Sequence, residues 1–222
     1  MKKCSLAVPL LIITLFYSFI YGSIAQSKPF EDEVNALVEK YNNTPWEKGG
    51  VVFSGSSSIR LWNTLEKDFP KVNIINTGFG GSQTHDLLMY LDELVISFEP
   101  QKVFIYVGEN DINAEKSIRQ LMSEYGLIME RVSASIPEVA FYFIGIKPSP
   151  VRWEKNGQMQ AFNAELMNLG QRKKNVTYID VWTKMLDKNG KPKENLFVPD
   201  RLHMNRKGYK IWKKAIKPYL LN

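Results

Sequence analysis

Residues 50–62 read GVVFSGSSSIRLW. The apolar run Val51-Val52-Phe53 stops at a glycine, three serines follow, and Ile59-Arg60-Leu61-Trp62 reads as the start of a helical turn. A short continuous apolar run bounded by turn residues marks a strand buried on both faces. Leading straight into a helix, it is the opening of a βαβ unit.

The alternation recurs in both directions. Upstream, residues 31–41 place Val34, Leu37 and Val38 among charges at helical spacing, and Gly49-Gly50 ends that pattern. Downstream, strands are expected over residues 72–75, 102–107, 139–146 and 176–179. Between them the spacing predicts a helical turn at 59–66 and helices at 82–97, 114–135 and 157–171. A last helix is expected over 206–217, with Tyr209, Trp212, Ile216 and Tyr219 on one side. Trp62, Trp182 and Trp212 are expected in the core. Five short apolar strands separated by helices predict an α/β fold: a three-layer α/β/α sandwich around a five-stranded parallel sheet.

A chain of 222 residues suits one domain with a proper core. Its 44% hydrophobic and 23% charged residues exclude a disordered chain. The first 25 residues differ from the rest. Lys2 and Lys3 precede an uncharged apolar run, and Ser23-Ile24-Ala25 supplies the small residues of a cleavage site. That layout predicts a signal peptide over 1–25 and a single domain over 26–222, exported to a bacterial periplasm or beyond. The same run is near the length of a membrane anchor; cleavage would leave no stable membrane association. Cys4 is the only cysteine, so the mature chain would carry no disulfide. Without the signal, 27 basic against 23 acidic residues leave +4. Much of the excess lies near the C-terminus, where Lys210, Lys213, Lys214 and Lys217 fall opposite an apolar stripe. A solvated helix face is expected there, and no nucleic-acid partner.

In parallel sheets ligands collect at the carboxyl ends of the strands. Chemistry-bearing residues should therefore follow strands, and they do. Gly55-Ser56-Ser57-Ser58, Asn76-Thr77-Gly78-Phe79-Gly80-Gly81-Ser82 and Gly108-Glu109-Asn110-Asp111 each follow an expected strand. A fourth cluster, Asp200-Arg201-Leu202-His203, precedes the last helix.

The chain has two histidines. His85 reads as a surface or helix-terminal residue. His203 stands three residues after Asp200, a spacing that lets the carboxylate accept the imidazole Nδ1–H and leave Nε2 free as a base. Such a base needs a hydroxyl within hydrogen-bond reach, and a serine at a strand-to-helix turn, where Ser57 falls, also gains from the amides and dipole of the helix start. Gly81, through its backbone N–H, and Asn110, through its side-chain amide, are candidate donors to an oxyanion. Taken singly, each cluster also reads as an ordinary turn: a helix cap, a glycine turn, an Asx-turn or a loop closure.

Together the four clusters resemble the four motif blocks of the SGNH, or GDSL-type, hydrolase family, in the family's order and across nearly the whole mature chain. The resemblance implies a flavodoxin-like SGNH fold and a serine esterase. It implies Ser57 as nucleophile, Gly81 and Asn110 as oxyanion donors, Asp200 as orienting carboxylate and His203 as base. The run over 200–212 is its most specific match. The family has an aspartate before the nucleophile where this chain has Ser56. That departure leaves Ser56 and Ser58 as alternatives to Ser57.

No metal or cofactor is expected, since no His/Cys cluster is present to hold one. Nor is there a long apolar insertion to form a lid or acyl tunnel. A short acyl ester, acetyl first, on a glycan or other small alcohol is the expected substrate, with Arg152 and Trp153 as candidate contacts to the alcohol. Two other readings use the same fold: a non-catalytic glycan-binding relative, favoured by Ser56, and a lysophospholipase or other lipid-ester hydrolase. A phosphate binder cradling an anion at the glycines of 78–81 lacks the Lys-Ser/Thr ending of a P-loop.

Overall fold

Strand β1 (Val51–Gly55) is buried along its whole length. It lies inside a sheet with β2 (Ile74–Gly78), β3 (Lys102–Tyr106), β4 (Ala140–Ile144) and β5 (Val176–Ile179). The order is β2-β1-β3-β4-β5 and every pair is parallel. The computed structural model describes residues 28–44 and 46–220; the expected signal peptide, residues 1–25, lies outside them. From β1 the chain winds outward to β2, then crosses back to β3 on the other side. The carboxyl ends of β1 and β3 thus flank the switch point where ligands bind in such sheets.

Ten helices connect the strands among the described residues: α1 (Glu31–Asn42), α2 (Ser57–Arg60), α3 (Leu65–Asp68), α4 (Thr84–Met89), α5 (Leu91–Leu94), α6 (Glu109–Asn113), α7 (Ile118–Ser135), α8 (Asn156–Arg172), α9 (Trp182–Met185) and α10 (Arg206–Leu220). Alternate strand residues feed two cores. Val52, Val103, Ile105 and Phe143 pack beneath α1, α4, α5, α7 and α8. Phe53, Phe104, Tyr106 and Ile144 pack beneath α2, α3, α9 and α10. This is the expected three-layer sandwich.

Several elements differ from the sequence reading; the helical turn expected over 59–66, for one, is split into α2 and α3. Strand β2 starts two residues later and runs through Asn76, Thr77 and Gly78, residues expected in a loop. Their polar groups are satisfied inside the fold: the Asn76 amide donates to Ile59 O (3.0 Å) and the Thr77 hydroxyl to Leu94 O (2.8 Å). The helix expected over 82–97 breaks at Tyr90 into α4 and α5. Leu91, Leu94 and Val95 stay in the core while the Tyr90 hydroxyl reaches the carbonyl of Pro29 (2.7 Å). The Glu109-Asn110-Asp111 stretch is a short helix of its own, α6, and α7 begins only after Ser117, which caps it reciprocally with Gln120.

Gly55 ends β1 at φ +127, where a Cβ would lie 2.0 Å from the Tyr106 carbonyl oxygen. Only glycine lets β1 turn out of the sheet there.

The last helix is fastened to the first serine turn. Tyr209 donates its hydroxyl to Ser58 O (3.0 Å) and its ring stacks on Trp62 at 5.3 Å. Beside them, buried Asp68 accepts hydrogen bonds from Trp62 Nε1 (2.9 Å), Thr64 Oγ1 (2.9 Å), Lys213 Nζ (3.1 Å) and both Arg206 terminal nitrogens (2.5 and 2.6 Å). The Arg206 hydrogen bonds lead in holding its carboxyl well below the usual carboxylate range, against the opposing effect of burial. Asp68→Ala orphans the buried Trp62 N–H, whereas Arg206 and Lys213, with side chains 47% and 36% exposed, regain water. The expected loss is therefore about 2–3 kcal/mol, below the range for a fully buried pair. It is read as a lower urea midpoint at unchanged m-value. Because the folded pKa is depressed, this contribution is present above the ordinary value of 3.8 and fades at lower pH. Lys210, Lys214 and Lys217 line the exposed side of α10.

Candidate active site

The three serines after β1 have different surroundings. Ser56 and Ser58 are buried, 3% and 2% exposed, and Ser57 between them is half-buried. Ser57 opens α2, and its Oγ lies 2.9 Å from His203 Nε2, across 146 residues of chain. His203 Nδ1 is 2.7 Å from Asp200 Oδ2. A carboxylate only accepts, so Nδ1 carries the proton and the Nε2 lone pair faces the serine hydroxyl.

The turn that holds this pair is built locally. Asp200 Oδ1 accepts the backbone N–H groups of Leu202 (2.8 Å) and His203 (2.9 Å). Arg201 between them takes a left-handed conformation (φ +60) and pairs with Glu194. The turn is pinned by Val198 N–H to His203 O (2.9 Å) and by the Asn205 side chain to Asn195 O and Phe197 O. Burial acts to raise the Asp200 carboxyl, but the hydrogen bonds from the His203 ring and the two amides outweigh it and hold it at about 2. Asp200 is therefore ionised at any pH at which the protein would work.

Gly81 and Asn110 meet on the other side of the switch point. Gly81 is exposed, and a Cβ placed on it would meet only Asn110 Nδ2, at 3.9 Å, within 4 Å. Its φ is not positive, so what the missing side chain provides is space beside that amide. Asn110 Nδ2 donates to Ser82 O (3.0 Å) and Asn110 Oδ1 accepts from Arg152 Nη1 (3.0 Å). Asp111, fully buried, accepts the Thr84 N–H (3.0 and 3.1 Å) and pairs with Lys116 (2.6 Å), which ties the Gly81 loop to α6. The sequence reading placed Asp111 in the third cluster without a role and did not single out Lys116. Their signal is weak: an acidic residue in a helical first turn, and a lysine five residues on.

The turn of residues 150–155 splits the two candidate alcohol contacts. Arg152 reaches the site through Asn110. Trp153 stacks on Trp182 at 5.7 Å, with the Lys191 ammonium 5.3 Å from its ring centre, so its indole is engaged by the protein itself. His85 lies apart, exposed, next to Asp86 and Lys116. Among the described residues no group of three or more His, Cys, Asp or Glu is placed to hold a metal, and no helix is long and apolar enough to cross a membrane.

A hydroxyl, an oriented imidazole and an amide donor brought to one rim form the equipment of acyl transfer. The family model of the GDSL-like lipase/acylhydrolase family matches residues 46–211. Among solved structures, one from Streptococcus pneumonia named as a candidate platelet activating factor superposes with a TM-score of 0.77 at 23% identity, covering 85% of this chain and 92% of the other. A GDSL-like lipase from Bacteroides thetaiotaomicron gives 0.68 at 24% identity over 86% and 95%. A variant of an acetyl xylan esterase from Geobacillus stearothermophilus gives 0.60 at 15% identity over 79% and 96%. At such identities these likenesses speak for the fold. No curated protein matches the chain significantly.

Proposed function

Since the chain belongs to the GDSL-like lipase/acylhydrolase family, we propose that it is an exported serine esterase that removes short acyl groups, acetyl first, from a glycan or other small alcohol. The observation that carries this reading is the unbroken hydrogen-bonded line from Ser57 Oγ through His203 to Asp200, with Asn110 just past the carboxyl end of β3, the neighbour of β1.

In this reading Ser57 Oγ attacks the ester carbonyl as His203 Nε2 takes its proton, and Asp200 stabilises the imidazolium by the charge-assisted bond at Nδ1. The oxyanion is held by Asn110 Nδ2 and by the N–H groups of Gly81 and Ser57. The imidazolium then protonates the leaving alcohol, and a water activated by the same ring releases the acid.

One apolar hollow bears on acyl length. A hollow of about 370 Å³ is lined by Val38, Tyr41, Trp46 and Phe98, between α1 and the segment that leads into β3. That is the end of the sheet remote from Ser57, so it offers an acyl chain no bed. The likeness to an acetyl xylan esterase points the same way. The test is a series of p-nitrophenyl esters from acetyl to octanoyl, followed by acetylated oligosaccharides. Acetyl should give a kcat/KM that longer acyl chains do not exceed, since methylenes with no pocket to enter gain no burial. A maximum at octanoyl would overturn the short-acyl assignment in favour of lipid esters.

A further inference from the structure

Behind Asn110 lies a sealed cluster of charges that the mechanism leaves unused. Glu109 (3% exposed) and Lys147 (0%) form an ion pair at 2.5 Å. The Tyr106 hydroxyl donates to the same carboxylate oxygen (2.7 Å) and the Ser149 hydroxyl to the other (2.8 Å). Arg152 stands 3.8 Å from Glu109 Oε1 on one side and donates to Asn110 Oδ1 at 3.0 Å on the other. Burial acts to raise the Glu109 carboxyl, but attraction to Lys147 and Arg152, with the Lys147 and Tyr106 hydrogen bonds, keeps it below the ordinary value. Burial first, then the charge of Glu109, pushes the Tyr106 phenol well up, so it stays a neutral donor.

This arrangement bears on one torsion. The terminal torsion of asparagine is broad, so its oxygen and nitrogen can exchange places. A guanidinium has donors only. Facing Arg152, the Asn110 amide must present its oxygen, which sends Nδ2 toward Ser82 O and the open side of Gly81. The flipped amide would set N–H against N–H at Arg152 and oxygen against oxygen at Ser82.

We propose that Arg152 is a positioning residue for ester hydrolysis: its guanidinium, backed by the buried Glu109–Lys147 pair, locks the Asn110 amide with a free N–H toward the oxyanion. The proposal rests on the esterase reading and differs from a substrate contact, because the Nη1 N–H that acts here bonds the protein's own Asn110.

The experiment uses p-nitrophenyl acetate, which carries no sugar for Arg152 to bind, with the wild type, Arg152→Met, Arg152→Lys, Asn110→Ala and the double variant. Arg152→Met should lower kcat about 10-fold to 100-fold with KM nearly unchanged, less than the ~100-fold to 1,000-fold loss expected for Asn110→Ala. Adding Arg152→Met to Asn110→Ala should cost nothing further, since its target is gone. Arg152→Lys, which keeps a donor-only cation, should retain more kcat than Arg152→Met and supplies the same cycle should the methionine variant fold poorly. Unchanged kcat in Arg152→Met, or a double variant slowed by the product of the two single effects, overturns the proposal alone. A wild type that neither turns over the ester nor reacts with a fluorophosphonate overturns the esterase reading and this proposal with it.

Discussion

Ser57→Ala is expected to lower kcat for p-nitrophenyl acetate by about a million-fold and to abolish labelling by a fluorophosphonate probe, as loss of an acyl-transfer nucleophile does. The argument is one of access and partners. Ser56 and Ser58 are buried, while Ser57 alone of the three is half-buried, with its oxygen 2.9 Å from the imidazole. A free hydroxyl at neutral pH is too weak a nucleophile to matter, so the serine that touches the base is the one that reacts. Ser58→Ala should keep the label. A label lost with Ser56→Ala or Ser58→Ala but kept in Ser57→Ala would overturn the assignment.

Asp200→Asn has the second largest expected effect, about 10,000-fold in kcat with KM little changed. Here the backbone decides which way the new amide points. The N–H groups of Leu202 and His203 both aim at Asp200 Oδ1 and need an acceptor. The asparagine oxygen must take that place, which turns its NH₂ group toward His203 Nδ1. Nδ1 then becomes the acceptor, the ring proton moves to Nε2, and the face toward Ser57 has no lone pair to offer. NMR of the ring nitrogens would show the exchanged tautomer directly; an unchanged tautomer with full activity would sink the argument. In the native protein the carboxyl sits at about 2 against an ordinary 3.8. A depressed carboxyl stabilises the fold above its unfolded value and loses that contribution as pH falls through the folded one. The stability contributed by the Asp200 carboxylate should therefore shrink as pH falls from about 4 toward 2.

What the sequence disclosed, and what it withheld, follows from the range of the forces involved. Strands β1, β3, β4 and β5 are legible as short runs of apolar, branched and aromatic residues, with β1 buried throughout. Strand β2 was half hidden, since Asn76 and Thr77 are satisfied by Ile59 and Leu94, partners that no local pattern announces. Three of the four clusters were visible as polar residues at the ends of expected strands, the fourth as an Asp-x-x-His pair before the last helix. The selection among Ser56, Ser57 and Ser58 was not, because chemically identical side chains are told apart only by which of them the fold covers. The charged cluster behind Asn110 lay furthest from view. Lys147 stands in a proline-rich stretch, Lys147-Pro148-Ser149-Pro150, and its partner Glu109 is 38 residues earlier. Only the packed structure shows that both are sealed from water.

The clamp between α10 and the serine turn has a consequence for the life of the chain. In the proposed mechanism the base stands 146 residues after the nucleophile. A partly synthesised polypeptide that stops short of Asp200 would carry Ser57 without its proposed base. The proposed activity would therefore wait until both segments have packed together.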